Sequence, residues 1–240
     1  ATAGRLSYRL TAGYHQDGGF VTLRDTLRVK RVSMRADYQI SNSDSLQFQA
    51  GHNQGTDATG RVGQLFDPQR ELDIDSHFAQ MRWQRALSAD SEVLLQYYHT
   101  RYRTTDEFSV ALPSPAVTLP VDFNSTATRD NLELQHTLKP LEQLRMVWGM
   151  EARSDKVRAP RYFNKPSVKN DLRRVYGNAE WRATPDLLVN LGAMWEDNDI
   201  TAADVSPRVA LNYRLRQGHT VRVSLSRATR TPVLLEQQAD

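Results

Sequence analysis

The sequence predicts an all-β protein, specifically the wall of an antiparallel up-and-down transmembrane β-barrel with about eleven strands. Three observations carry this. Apolar and polar residues alternate with period two over roughly ten positions at a time, longer than the 5–6 residues usual for soluble strands. Short and long connections between these segments alternate in strict order. Arg, Glu, Gln and Asn recur along the middle of one face of the segments, which a water-filled lumen accommodates.

The segments follow in chain order. Leu6, Tyr8, Leu10, Ala12 and Tyr14 share one face of the first, and Val32, Met34, Ala36, Tyr38 and Ile40 one face of the second. Leu46, Phe48 and Ala50, then Ala79, Met81 and Trp83, then Val93, Leu95 and Tyr97 continue the pattern. Leu132, Leu134 and Leu138 come next, followed by Leu144, Met146, Trp148 and Met150, and by Val175, Gly177, Ala179 and Trp181. The last three are Leu187 to Trp195, Val209 to Leu215 and Val221 to Leu225.

Turn-sized connections lie at 41–44, 88–90, 139–142, 184–186 and 216–219, and longer ones at about 15–25, 54–72, 106–124, 155–170 and 197–205. This is the rhythm of short periplasmic turns and long extracellular loops. Tyr14, Tyr38, Tyr97, Trp148, Trp181, Trp195 and Tyr213 suit interfacial aromatic girdles, although strands favour aromatics in any setting.

Composition excludes several classes. The chain has no cysteine, so disulfide scaffolds, thiolate metal sites and cysteine nucleophiles are out. No apolar run approaches the roughly 18 residues of a membrane-spanning helix, whereas a spanning strand needs only about 9–11 with alternate positions apolar. The 31 basic residues are offset by 28 acidic ones scattered among them, leaving +3 and no basic stripe of the kind nucleic-acid binders present. His15, His52, His77, His99, His136 and His219 stand singly, without ligand-like spacing, so neither a metal site nor a catalytic site is expected. The opening residues have no basic segment followed by an apolar run, so the chain is expected to begin inside a mature protein. The rival readings are a passive porin-type channel and a soluble β-sandwich binding module.

The stretch from Ser206, Pro207 and Arg208 to Tyr213, followed by His219 to Leu225 and then Ser226, Arg227, Ala228, Thr229, Arg230, Thr231 and Pro232, resembles a well-marked hairpin of TonB-dependent outer-membrane receptors. Leu6 to Tyr14 and Asp44 to Gly51 resemble the first barrel strands of that family more loosely. The resemblance implies part of a barrel of about 22 strands, residues 1–240 being one partial barrel domain without the plug and the closing strands. It implies a receptor in the outer membrane of a Gram-negative bacterium that imports a scarce nutrient, foremost a ferric siderophore, with energy delivered by the TonB system through the plug. No bond would be made or broken, and no cofactor of its own is implied.

Two long connections are candidate ligand contacts. The first, 156–169, gathers five cations with Tyr162 and Phe163, a mixture suited to an anionic, partly aromatic iron chelate or to lipopolysaccharide phosphates. Its candidate residues are Arg158, Arg161, Tyr162, Phe163 and Lys165. The second, about 107–124, offers Phe108.

Overall fold

The computed structural model describes residues 2–20, 25–234 and 236. The described residues form one antiparallel sheet in which eleven full-length strands follow a two-residue stub, together with a separate two-stranded hairpin. In chain order the strands are β1 (Thr2–Ala3), β2 (Leu6–Asp17), β3 (Leu27–Gln39), β4 (Asp44–Thr59), β5 (Arg70–Ser88), β6 (Ser91–Thr105), β7 (Glu107–Pro113) and β8 (Ala116–Asp122). Then come β9 (Ser125–Leu141), β10 (Leu144–Arg158), β11 (Val168–Thr184), β12 (Leu187–Asn198), β13 (Asp204–Arg216) and β14 (His219–Ser226). Every strand of the large sheet pairs with its neighbour in sequence, except that β6 pairs with β9 across the β7–β8 hairpin. The sheet is an open wall, its first and last strands unjoined.

This is a single layer, and that decides between the rival folds. A sandwich buries the apolar face of one sheet against another. Here that face is bare. Leu10 is 69 % exposed and Leu225 75 %, with Met34, Leu95, Leu132, Met150, Val175, Leu191, Leu211 and Val223 also exposed. Contiguous apolar surface on this scale marks contact with a partner or a lipid phase. The register aligns it across strands: Leu6, Tyr38, Leu46, Trp83, Leu95, Leu134, Met150, Val175, Trp195 and Val205 stand opposite one another in succession. Among the described residues no helix is long and apolar enough to cross a membrane, which says nothing of crossing by strands.

The strands outrun their sequence signal. β5 has 19 residues and β9 and β11 have 17 each, against roughly 9–11 for a membrane crossing. The excess lies at the long-loop end, where the alternation turns polar on both faces. Strand pairing therefore narrows the expected connections at 54–72, 155–170 and 197–205 to 60–69, 159–167 and 199–203. The expected loop 106–124 contains the β7–β8 hairpin. In the first long connection, residues 21–24 lie outside those described.

Four of the five short turns carry a register shift at their base, at Ala86/Ser88, Leu144/Met146, Arg182/Thr184 and Arg214/Arg216. One of these explains Pro140. The expected turn 139–142 contracts because β9 continues to Leu141, and the irregularity beside it relieves the ladder of the N–H that proline lacks. Of the proposed girdle aromatics, Tyr14, Tyr38, Trp181, Trp195 and Tyr213 lie within three residues of a strand end, whereas Tyr97 and Trp148 sit well inside β6 and β10. These two are also hydrogen-bonded sideways, Tyr97 to Asp130 at 2.6 Å and Trp148 to His136 at 3.1 Å.

Gly55 of β4 leaves no room for a side chain against the backbone of β3. A Cβ there would lie 2.1 Å from the Arg28 carbonyl oxygen and 3.0 Å from the Val29 Cα, both backbone atoms that cannot rotate away. Gly55→Ala is expected to lower stability by about 1–3 kcal/mol, the usual range for overpacking, in a urea titration of the full-length barrel in lipid vesicles. Gly177→Ala, where the nearest atom is 3.9 Å off, should stay within about 0.5 kcal/mol of wild type.

Candidate ligand-binding site

The face opposite the apolar one is a polar ladder. Asp37, Gln47, Arg82, Gln96, Glu133, Glu151, Arg174 and Glu196 stand in register across it. Arg35 clamps Asp37 through two hydrogen bonds of 2.8 and 2.9 Å, and the Gln47 amide donates to the same carboxylate at 2.8 Å. Asn131 donates to Glu151 at 2.6 Å, while Arg174 bridges Glu151 at 3.2 Å and Glu196 at 2.6 Å. The Tyr176 hydroxyl reaches Glu133 at 2.7 Å. The half-exposed Arg35–Asp37 pair contributes little stability by itself, but together these bonds hold the side chains in fixed positions along a hydrated wall.

Toward the long-loop end this face hollows into a cavity of about 680 Å³. Tyr98 and Tyr102 of β6, Arg129 of β9, and Arg153 and Asp155 of β10 line its wall, Tyr162 and Phe163 overhang it, and Thr231 to Leu234 close one side. Arg129 makes two hydrogen bonds to Asp155, of 2.6 and 3.1 Å. The Arg153 Nε also lies 3.2 Å from Asp155, but without hydrogen-bond alignment, so this buried N–H has no acceptor among the described residues. Two cations thus share one carboxylate, leaving the wall locally positive beside three tyrosine rings. An anionic ligand with aromatic groups would find both charge and stacking surfaces there.

The overhang is held by its own small core. Phe163, 5 % exposed, packs with Ala159 and Val168, with Val157 and Leu234 against them. The N–H groups of Tyr162 and Phe163 both donate to the Ala159 carbonyl, at 2.9 and 3.1 Å, closing a tight turn. On the other side, the stretch after β14 is drawn back under the cavity. Arg227 donates to Asp204 at 2.7 Å, and the hydroxyls of Thr229 and Thr231 donate to Asp204 and Glu196. The last strand therefore ends at Ser226, where these side-chain bonds compete with the ladder.

Above the cavity three connections are linked by a chain of rings and cations. The Arg161 guanidinium lies 4.0 Å from the centre of the Phe123 ring, Phe123 meets Phe108 edge to face at 5.2 Å, and Arg70 lies 4.2 Å over Phe108. Arg70 then forks onto Asp106 at 2.6 and 2.8 Å and reaches Asp67 at 2.9 Å. Arg70 opens the 19-residue β5 and stands beyond its membrane-spanning part. The hydrogen bonds it donates to Asp106 raise the guanidinium pKa above its ordinary value, against the opposing effect of burial.

The sequence candidates are distributed over this architecture. Tyr162 and Phe163 line the cavity, the first exposed and the second buried. Arg161 and Phe108 belong to the ring-and-cation chain, Lys165 is exposed on the overhang, and Arg158 ends β10 on the apolar-face side. Of the hairpin motif, Ser206 and Pro207 lie on β13, Arg208 pairs with Ser226, Arg227 binds Asp204, Ala228 follows it, Arg230 donates to Glu236 at 3.1 Å, and Pro232 lines the cavity. Tyr98, Tyr102, Arg129 and Arg153 were not singled out from sequence. They stand on alternate positions of three strands, and only the register brings them together. Among the described residues no group of His, Cys, Asp or Glu is placed to hold a metal ion.

A single sheet with one lipid-type face and one hydrated face, short turns at one end and linked loops at the other, defines a β-barrel membrane protein wall. The family described as TonB dependent receptor-like, beta-barrel, matches residues 3–240, and the chain belongs to that family. Similar solved structures are siderophore receptors. A double mutant of the ferric enterobactin receptor PfeA from Pseudomonas aeruginosa superimposes with a TM-score of 0.72 at 15% identity, covering 96% of this chain and 40% of that one. The siderophore receptor PirA from Acinetobacter baumannii gives 0.72 at 14% identity, with 95% and 39% covered. PirA from Pseudomonas aeruginosa gives 0.68 at 17% identity, with 97% and 38% covered. At these identities the likeness is one of fold. The chain spans about two-fifths of the length of these receptors. No curated protein matches it in sequence.

Proposed function

We propose that this chain is part of the barrel of an outer-membrane receptor, in a Gram-negative bacterium, that captures a ferric siderophore and imports it with energy from the TonB system acting through a plug. The observation that carries this reading is the cavity on the hydrated face, where Arg129 and Arg153 share Asp155 among Tyr98, Tyr102 and Tyr162. Tyr162 and Phe163 would meet the ligand from the overhang, with Arg161, Lys165 and Phe108 in the loops around it, whereas Arg158, on the apolar-face side of β10, stands away from the cavity. The protein binds and moves its ligand without reacting with it. Solved relatives in the same fold include PfeA in complex with enterobactin, which supports this substrate class.

The test uses the full-length protein. Binding of a ferric tricatecholate and a ferric trihydroxamate is followed by fluorescence quenching, and uptake into iron-starved cells is followed with and without a protonophore. Saturable uptake that stops when the proton gradient collapses is expected. Uptake indifferent to the gradient would instead assign the wall to a passive channel. Arg129→Ala with Arg153→Ala should weaken binding of the preferred chelate at least about tenfold, roughly 1.4 kcal/mol. Unchanged affinity would remove the cavity from the mechanism.

A further inference from the structure

The cavity has one side that does not belong to the sheet. Residues 227–234 leave β14 at the long-loop end and run back across the hydrated face, and Thr231, Pro232, Val233 and Leu234 line the cavity from there. Alternate side chains tie this strap to two carboxylates. Arg227 and Thr229 both donate to Asp204, Arg227 at 2.7 Å, and Thr231 donates to Glu196. At its start the Arg227 N–H donates to the Pro207 carbonyl at 3.0 Å, and at its far end Leu234 packs on the small core of the overhang beside Phe163. The strap thus passes over the loop ends of β13 and β12 and reaches the connection that follows β10.

The two carboxylates stand directly opposite one another, Glu196 on β12 and Asp204 on β13. Like charges in that position destabilise strand pairing unless a donor offsets them. Glu196 has such a donor within the wall, the Arg174 guanidinium at 2.6 Å. For Asp204 the side chains that donate, among the described residues, are Arg227 and Thr229, both from the strap. The wall alone therefore gains nothing from a carboxylate at this position, and the strap gains its anchor.

We propose that Asp204 is a positioning residue for the ligand site: it fixes the strap as the closing side of the cavity and so sets the size of chelate that the cavity admits. At about 680 Å³ the cavity lies inside the range of about 300–1,000 Å³ that encloses small ligands. With the strap released, the four residues it contributes are withdrawn and the space runs into the open hydrated face over β12 and β13. Nothing on that side then discriminates by size. Asp204, Arg227 and Thr229 do not themselves line the cavity. The inference rests on the ligand-binding reading proposed above.

The test uses the full-length receptor, and its first readout needs no ligand. Trypsin cuts after Arg227 and Arg230, and cleavage follows the population of the open form, so Asp204→Ala should be cut there at least about tenfold faster than wild type. Thr229→Val should also be cut faster, whereas Thr229→Ser, which keeps the hydroxyl, should match wild type. A role confined to the wall would instead lower the urea midpoint of the barrel, which Asp204→Ala should leave unchanged because it also removes an opposed charge. Fluorescence quenching then compares a compact ferric tricatecholate with the same chelate extended by a bulky peptide arm. Wild type should prefer the compact chelate at least about tenfold, and Asp204→Ala should reduce that preference below about threefold. Unchanged cleavage in Asp204→Ala would overturn the anchor, and a freed strap with the preference intact would overturn its part in selectivity. A wild type that binds neither chelate refutes the siderophore reading and the size selection together, whereas a selective wild type with an equally selective variant refutes the positioning role alone.

Discussion

Replacing Arg70 by alanine is expected to cost the outer cap about 3–5 kcal/mol, the usual penalty for leaving one member of a buried ion pair alone. The side chains of Arg70 and Asp106 are only 12% and 9% exposed. Asp106 therefore cannot regain water when its fork partner is lost, and the ring of Phe108 loses the cation lying over it. Hydrogen exchange in the full-length protein should show faster exchange across 60–69 and the β7–β8 hairpin, with β6 and β9 unchanged because their pairing does not depend on the hairpin. Arg70→Ala combined with Asp106→Asn should recover part of the protection, since the stranded charge is then gone. Normal protection in the single variant would show that the Phe108 and Phe123 packing holds the loops unaided.

The second large effect tests the two faces directly, with neighbouring residues of one strand. Leu95 projects from the apolar face between Trp83 and Leu134, and Leu94 from the hydrated face between Gln84 and Gln135. Leu95→Arg should destabilise the barrel by about 2–4 kcal/mol in a bilayer, the measured range for a cation on the lipid side near mid-depth. Leu94→Arg should stay close to wild type, because the new charge enters water beside glutamine amides. Urea titrations in vesicles of defined composition give both numbers. Equal penalties would contradict the assignment of the faces.

The fold was legible because alternation in a single-layer wall is written by one rule along the whole chain. Val32, Met34, Ala36 and Tyr38 announce their face without reference to any neighbour. The strand extensions were not legible, since beyond the membrane the rule relaxes: His52, Gln54 and Thr56 of β4 face the lipid side yet are polar. Strand pairing there rests on backbone hydrogen bonds and side-chain pairs such as His52 with Asp75. The candidate site was legible only in part. Tyr162 and Phe163 stood out as aromatics in a basic loop, but Arg129 and Arg153 are ordinary alternate-position arginines until the register sets both beside Asp155.

The β7–β8 hairpin interrupts the chain between β6 and β9 without disturbing the register of either. Because every partnership in the wall is with the adjacent strand, a complete hairpin can be gained or lost at a loop while all other neighbours keep their contacts and their inside and outside. Wall architecture of this kind lets natural variation act on whole hairpins, so that the girth and crown of such a protein can diverge in unit steps while the rule written along each strand persists.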